Sequence, residues 1–284
     1  MSLHSTLIVY CGLIVAASMF GGWLPSRMRL THTRMQVMLS FVGGLMLGVG
    51  LLHLLPHGIA KAGSVDLVIG WAMFGLLLMF FLIRAFHFHQ HDAPEAADPQ
   101  AADEQAHTHH LSWAGVAIGL ALHTLIDGIA LGAAVVAEAA HAEAGELYGL
   151  GVFLAIVLHK PLDALSITSL MVAGGWLPRA RQVVNVAFAL MCPAGVVLLV
   201  TGLNQIAGNP DVYVGCALGF SAGVFLCISL ADLLPEVQFH THDRFKLSLA
   251  LILGVALAYG LGFVESAHMH GTGEEMGQHA DEFF

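Results

Sequence analysis

Long apolar runs constrain this chain more than any other feature. A helix needs about 20 mostly apolar residues to cross a bilayer. Eight such runs are legible, at about 4–25, 36–57, 65–87, 112–139, 147–174, 182–204, 211–236 and 246–266. Backbone in lipid must satisfy its own hydrogen bonds, so spans of this length are expected to be helices. Composition agrees: 57% of the residues are hydrophobic and 11% charged, against about 25% charged in a soluble domain. The expected fold class is therefore an all-α membrane protein, one transmembrane domain over residues 1–284 with the lipid bilayer around it. The formal charge of −10 comes from acids in loops and the tail, so it gives no reason to expect nucleic acid as a partner. Cys11, Cys192, Cys216 and Cys227 all lie in apolar runs, which reads as buried small hydrophobes rather than a disulfide framework or a CxxC metal site. The first run lacks a basic leader and a small-residue cleavage site and is read as a retained helix.

Lys and Arg set the expected orientation. Arg27, Arg29, Arg34, Arg84, Arg179, Arg181, Arg244 and Lys246 fall in alternate loops, on one side; the other side has Lys61. The basic side is expected to be cytoplasmic, which puts both termini outside. The connection over 88–111 differs from the rest. From His87 to His110 it carries His87, His89, His91, His107, His109 and His110, with Asp92, Glu95, Asp98, Asp103 and Glu104 among Ala, Pro and Gln. Such a tract cannot bury a core and is expected to be a disordered cytoplasmic loop that binds metal weakly. The tail over 267–284 is acidic, also rich in His, and expected to be extracytoplasmic.

Two stretches carry the chemistry: His123-Thr124-Leu125-Ile126-Asp127-Gly128 and His159-Lys160-Pro161-Leu162-Asp163-Ala164. A shift of 36 residues lays one on the other. On a helix, i and i+4 share a face, so each His stands one turn from its Asp. Two such helices facing each other offer two nitrogens and two oxygens, a reasonable cage for Zn²⁺ or a similar ion. Ionisable groups this deep in a span are costly and by default mark a pathway or relay. A Lys–Asp pair that only fixes helix register accounts for Lys160 and Asp163, but not for two His and a second Asp. Lys160 points about 100° round the helix from His159 and can approach Asp163 from the side.

A second repeat has an offset of 179. Phe41-Val42-Gly43-Gly44 through His53-Leu54-Leu55-Pro56-His57 matches Phe220-Ser221-Ala222-Gly223 through Asp232-Leu233-Leu234-Pro235-Glu236. By the charge count the two spans run in opposite directions, as in inverted-topology transporters, with spans 1–3 related to 6–8 around the central pair. His53, His57, Asp232 and Glu236 lie near span ends, where a solvated interface residue competes with a pathway role. Pro56, Pro161 and Pro235 remove backbone hydrogen bonds, and freed carbonyls could line a cavity.

At these residues the chain resembles the ZIP (Zrt/Irt-like) family of divalent metal transporters. The likeness covers nearly the whole chain. The family's fourth-helix pattern is His-Asn-x-x-(Asp/Glu)-Gly, and Thr124 stands here in place of Asn. In the fifth helix Lys160 follows His159, as in a branch of the family, although that branch usually has its Pro one residue later. The Leu-Leu-Pro-Glu ending at Glu236 is also similar, and Asp232 falls where a further ligand is common. The resemblance implies a metal site from His123, Asp127, His159 and Asp163, with Thr124, Lys160, His53, His57, Asp232 and Glu236 as pathway or second-site residues. It implies a transporter rather than an enzyme, in the plasma (inner) membrane, carrying Zn²⁺ as substrate towards the cytoplasm. Fe²⁺, Mn²⁺, Co²⁺ and Cd²⁺ suit the same ligands to differing degrees. A homodimer is left open. Two rivals use the same residues: an intramembrane zinc hydrolase, and a proton- or anion-coupled carrier working through Lys160.

The topology is directly testable. Accessibility of introduced cysteines or tags is expected to place Arg27–Arg34 and the His-rich stretch on the cytoplasmic side and the tail outside. The stretch on the outer side would reverse the expected direction.

Overall fold

The structure is a computed structural model and describes residues 2–23, 32–87, 102–139, 148–205, 208–239 and 244–266. Among these residues all regular structure is helical, and eight helical stretches are long and apolar enough to cross a membrane. In order they are α1 (Leu3–Trp23), α2 (His32–Val49) continuing into α3 (Leu55–Ala62), α4 (Val65–His87), α5 (Ala102–Ala139), α6 (Leu150–Ala173), α7 (Pro178–Ala189) continuing into α8 (Met191–Gln205), α9 (Pro210–Phe239) and α10 (Arg244–Ser266).

Two spans are broken, and proline accounts for both breaks. Pro56 has no N–H to return to the carbonyl four residues back. The helix widens ahead of it into a π-turn over Gly50–Leu54, where the Leu55 N–H bonds to the Gly50 carbonyl. Pro193 meets the same difficulty near the start of α8, and the span is interrupted at Leu190, between α7 and α8. The helix of the fourth span begins ahead of its apolar run, at Ala102, so His107, His109 and His110 belong to the first turns of α5. His89, His91 and the tail over 267–284 lie outside the described residues.

Four spans form the interior. More than half of each span containing α2–α3, α5, α6 or α9 is buried; for the spans of α1, α4, α7–α8 and α10 the share is about a third or less. Phe74, Phe80, Phe81, Ile252 and Leu253 accordingly point outward, where lipid would meet them. The helices pack as two groups. In one, α2 runs along α10 and α9 along α4, with α3 against α9; in the other, α5 runs along α8 and α1 along α6. The second group carries both His-x-x-x-Asp stretches.

Lipid tails are as apolar as Leu, so helices in a membrane associate through close packing. Glycine provides it here. A β-carbon at Gly44 would overlap the Leu251 carbonyl, and one at Gly223 the Ala72 carbonyl. A β-carbon at Gly75 would overlap the Phe220 carbonyl, and one at Gly254 the Phe41 carbonyl. Gly44 and Gly223 are 179 residues apart, as are Ala72 and Leu251, Gly75 and Gly254, and Phe41 and Phe220. The α2–α10 and α4–α9 crossings thus rest on one set of contacts used twice. In the site-bearing group, Gly128 and Gly195 do the same for α5 and α8, and Gly21 seats α1 on the Pro161 backbone.

Overpacking a close crossing costs about 1–3 kcal/mol. Gly223→Ala and Gly254→Ala, which meet backbone, are expected to lower the melting temperature in detergent by several degrees. Gly12→Ala and Gly260→Ala, with nothing among the described residues within 4 Å of an added carbon, should be neutral or slightly stabilising. Equal effects at all four positions would mean that the crossings are looser than described.

Candidate metal centre

His123, Asp127, His159 and Asp163 come together between α5 and α6. Each offers one ligand atom, and these atoms all lie within 4.8 Å of one another. Asp127 stands near the middle of its span, Ile118–Ala139, and Pro161, between His159 and Asp163, near the middle of Leu150–Val172. The cluster is therefore close to the centre of the bundle. His123 Nδ1 is 3.5 Å from Asp127 Oδ1, and His123 Nε2 is 3.8 Å from Asp163 Oδ2. His159 Nε2 lies 3.3 Å from Asp127 Oδ2 and 3.7 Å from Asp163 Oδ2. The two imidazoles stack with centroids 5.4 Å apart. Phe225 on α9 stands edge-on to His159.

Two details favour a cation here. The first is the orientation of His159. Its Nδ1 lies 2.7 Å from the Ala155 carbonyl, which can only accept, so Nδ1 carries the proton and Nε2 turns its lone pair into the cluster, where the Lys160 ammonium lies 3.4 Å away. A ligating His commonly donates its other N–H in this way. The second is an orphaned pair. His123 Nδ1 and Asp127 Oδ1 are buried and have no hydrogen-bond partner among the described residues, although buried polar atoms almost always have one. They face each other, as two ligands of one ion would.

Lys160 takes a place that its position along the sequence does not indicate. Its ammonium reaches back into the cluster and forms a short ion pair with Asp127 Oδ2 across the α5–α6 boundary. It also donates to Asp163 Oδ2 at 3.0 Å and to Thr124 Oγ1 at 3.0 Å. Thr124 in turn donates to the Leu120 carbonyl at 2.8 Å. Phe188 on α7 closes the side behind Lys160, 5.6 Å from the nitrogen to the ring centroid. Lys160 is 1% exposed and Asp127 fully buried. The centre thus holds two carboxylates and one fixed cation.

The other sequence candidates lie elsewhere. His53 is buried in the π-turn and donates from Nε2 to the Ala258 carbonyl at 2.7 Å. His57 is partly exposed on α3 and lies 3.9 Å from Glu138 of α5. Glu138 was not among the residues picked out from sequence, and nothing in its spacing marks it. Asp232 and Glu236 fall in the last third of α9 and His87 at the end of α4.

Comparison with known proteins adds to this geometry. A family model described as ZIP zinc transporter matches residues 85–262, more than half of the chain. The chain belongs to the ZIP family. It is a multi-pass membrane protein of that family, and the matched region contains all four clustered residues. "Zinc transporter 5" from Oryza sativa subsp. japonica is 27% identical over 91% of this ZIP chain and 84% of its own length. "Zinc transporter ZIP9-B" from Xenopus laevis is 36% identical over 64% of this chain, and "Zinc transporter ZIP1" from Homo sapiens 29% identical over 62%. The matches to these last two span 55% and 51% of those proteins, about half their length.

The ion pair can be tested apart from function. Removing one partner of a buried pair costs about 3–5 kcal/mol. Lys160→Met is therefore expected to lower the thermal stability of the metal-free protein markedly. Zinc should then raise the melting temperature more in the variant than in the parent, because it restores positive charge beside the carboxylates. A variant as stable as the parent, with no larger response to zinc, would show that the ammonium is not the counter-ion of the site.

Proposed function

We propose that this ZIP protein carries a divalent metal cation, zinc foremost, across the membrane into the cytoplasm. His123, Asp127, His159 and Asp163 would hold the ion near the midplane. The observation that carries this reading is the buried N2O2 cluster with its orphaned His123 Nδ1 and Asp127 Oδ1. The names of the relatives support zinc as the substrate. Imidazole and carboxylate also accept Fe²⁺, Mn²⁺, Co²⁺ and Cd²⁺, whereas Cu(I) prefers sulfur ligands, and the cluster has none. Family membership speaks against the hydrolase reading, because ZIP proteins are transporters.

Lys160 would act as a tethered second cation. With two carboxylates and one ammonium the empty site has one net negative charge, and with a divalent ion one net positive charge. Full burial of two unpaired carboxylates would cost several kcal/mol per ion, so the ammonium allows the empty site to persist at the midplane. It also fills space and charge that a second metal would need, which makes this a single-metal carrier. The matched glycine crossings, displaced by 179 residues, support an inverted repeat relating the first three spans to the last three. The basic loops support cytoplasmic placement of the Arg27–Arg34 connection and of the His-rich stretch, with both termini outside, in a plasma or inner membrane. That stretch would tune transport rather than form the pathway.

Metal uptake into proteoliposomes is the decisive measurement. Asp127→Ala and Asp163→Ala each remove an oxygen ligand and are expected to abolish zinc uptake with normal membrane insertion. Lys160→Ala is expected to keep measurable binding with an altered rate and pH dependence. If Asp163→Ala transports like the parent while Lys160→Ala is inactive, the lysine carries the chemistry and the four-ligand site is wrong.

A further inference from the structure

Gly202 on α8 does not serve a close crossing. Among the described residues nothing lies within 4 Å of a β-carbon added there. Glycine inside a helix costs stability that alanine would not, and helix packing gives no reason for it at this position. Gly202 instead lines an apolar groove of about 200 Å³. The other lining residues are Ile129 of α5, Leu198, Leu199 and Leu203 of α8, and Tyr213 of α9. Leu198 and Tyr213 are exposed on the outside of the bundle, so the groove opens where lipid lies. Its walls belong to both helix groups: α5 and α8 pack in the one that carries the His/Asp cluster, α9 in the other.

Water does not suit such a space. Apolar cavities of about 150 Å³ stay dry and take up apolar guests, and an empty one forfeits the dispersion contacts of its lining. The direction of the groove selects the guest. Ile129 is two residues past Asp127 on α5, about 3 Å at about 1.5 Å per residue, so the inner end lies near the level of the cluster. At the outer end, Leu203 is two residues from the end of α8 at Gln205, and Tyr213 three residues from the start of α9 at Pro210. Tyrosine is enriched at the headgroup level, where its apolar ring and its hydroxyl are both satisfied. The groove therefore runs from the bilayer surface towards the middle, which is the direction of a phospholipid tail. Leu198 to Leu203 covers about 7.5 Å of a leaflet roughly 15 Å deep, so one tail lies in it over about half its length.

We infer that this groove holds one acyl chain of a bilayer phospholipid, lodged between the two helix groups and touching both. Residues that only face outward, such as Phe74 and Ile252, touch lipid that exchanges freely. A chain in the groove lies against three helices and is held longer. It completes the packing at the seam between the groups, which makes their contact depend on the surrounding lipid. The inference goes beyond the transport reading and stands without it, since it needs only the bilayer and the groove.

The test uses the full-length protein in nanodiscs that contain phosphatidylcholine with a photoreactive diazirine in mid-chain. After illumination, labelled residues are mapped by mass spectrometry. Label is expected to be enriched several-fold on residues 198–203 and on Tyr213, relative to Phe74 and Ile252. Gly202→Phe puts a ring into the groove and should bring that enrichment down to the level of the outward residues, whose own labelling stays unchanged. Gly202→Ala leaves room for the chain and should keep most of it. In detergent, added phosphatidylcholine is expected to raise the melting temperature of the parent and of Gly202→Ala by several degrees, and that of Gly202→Phe much less, because a guest stabilises only the state that binds it. Should Gly202→Phe not insert, Gly202→Leu fills part of the groove and should lower the enrichment part-way. Enrichment undiminished by either filling variant would overturn the site. So would a groove labelled no more than the outward residues, shielded by a second copy of the chain or by its own connections.

Discussion

The ion pair between Lys160 and Asp127, with Asp163 on the ammonium's other side, is the interaction on which the centre of this protein depends. Charge at the middle of a bilayer is expensive, and a buried pair repays its desolvation only when geometry is good and the remaining hydrogen bonds are made. Here they are made on the lysine side, by Asp163 Oδ2 and Thr124 Oγ1. On the other side the count does not close, and His123 Nδ1 and Asp127 Oδ1 are left without partners. A core that served stability alone would have removed that deficit. The same carboxylate is therefore satisfied at one oxygen by the protein and held ready at the other.

The helices around this centre divide the work. One group is zipped by glycines that seat α2 on α10 and α4 on α9, through contacts repeated at a spacing of 179 residues. The other joins α5 to α8 and α1 to α6, again with glycine against backbone. These close glycine crossings fall within the groups. Between the groups, around the His/Asp cluster, the contacts described are made by larger side chains, such as Phe225 of α9 against His159. The close backbone contacts thus lie within each group, and the clustered residues belong to one group only.

Much of this was legible in the order of residues. The eight apolar runs determined that the chain crosses the membrane, because lipid admits few solutions for a polar backbone. The spacing of four in both His-x-x-x-Asp stretches determined that each helix shows a nitrogen and an oxygen on one face, because helical geometry is local. Of the prolines picked out from sequence, Pro56 marks a break, whereas α6 and α9 run on through Pro161 and Pro235; the break ahead of Pro193, and the π-turn ahead of Pro56, are seen only in the fold. α5 begins ahead of its apolar run, because hydropathy tracks the bilayer, whereas a helix can continue beyond it in water-compatible residues.

What the tertiary structure alone decided is which groups meet across helices. From sequence, Lys160 lies beside Asp163 on its own helix; its reach to Asp127 and Thr124 depends on how α5 faces α6, which no local spacing contains. Glu138 looked like an ordinary acid at the end of a span until the fold brought His57 of α3 to within 3.9 Å and the Gly149 amide onto its other oxygen. Periodicity fixes the face of a helix on which a side chain stands. It carries no information about the distance, register or rotation of the neighbouring helix. Those are set by where glycine lets backbones touch, and they settle which side chains meet.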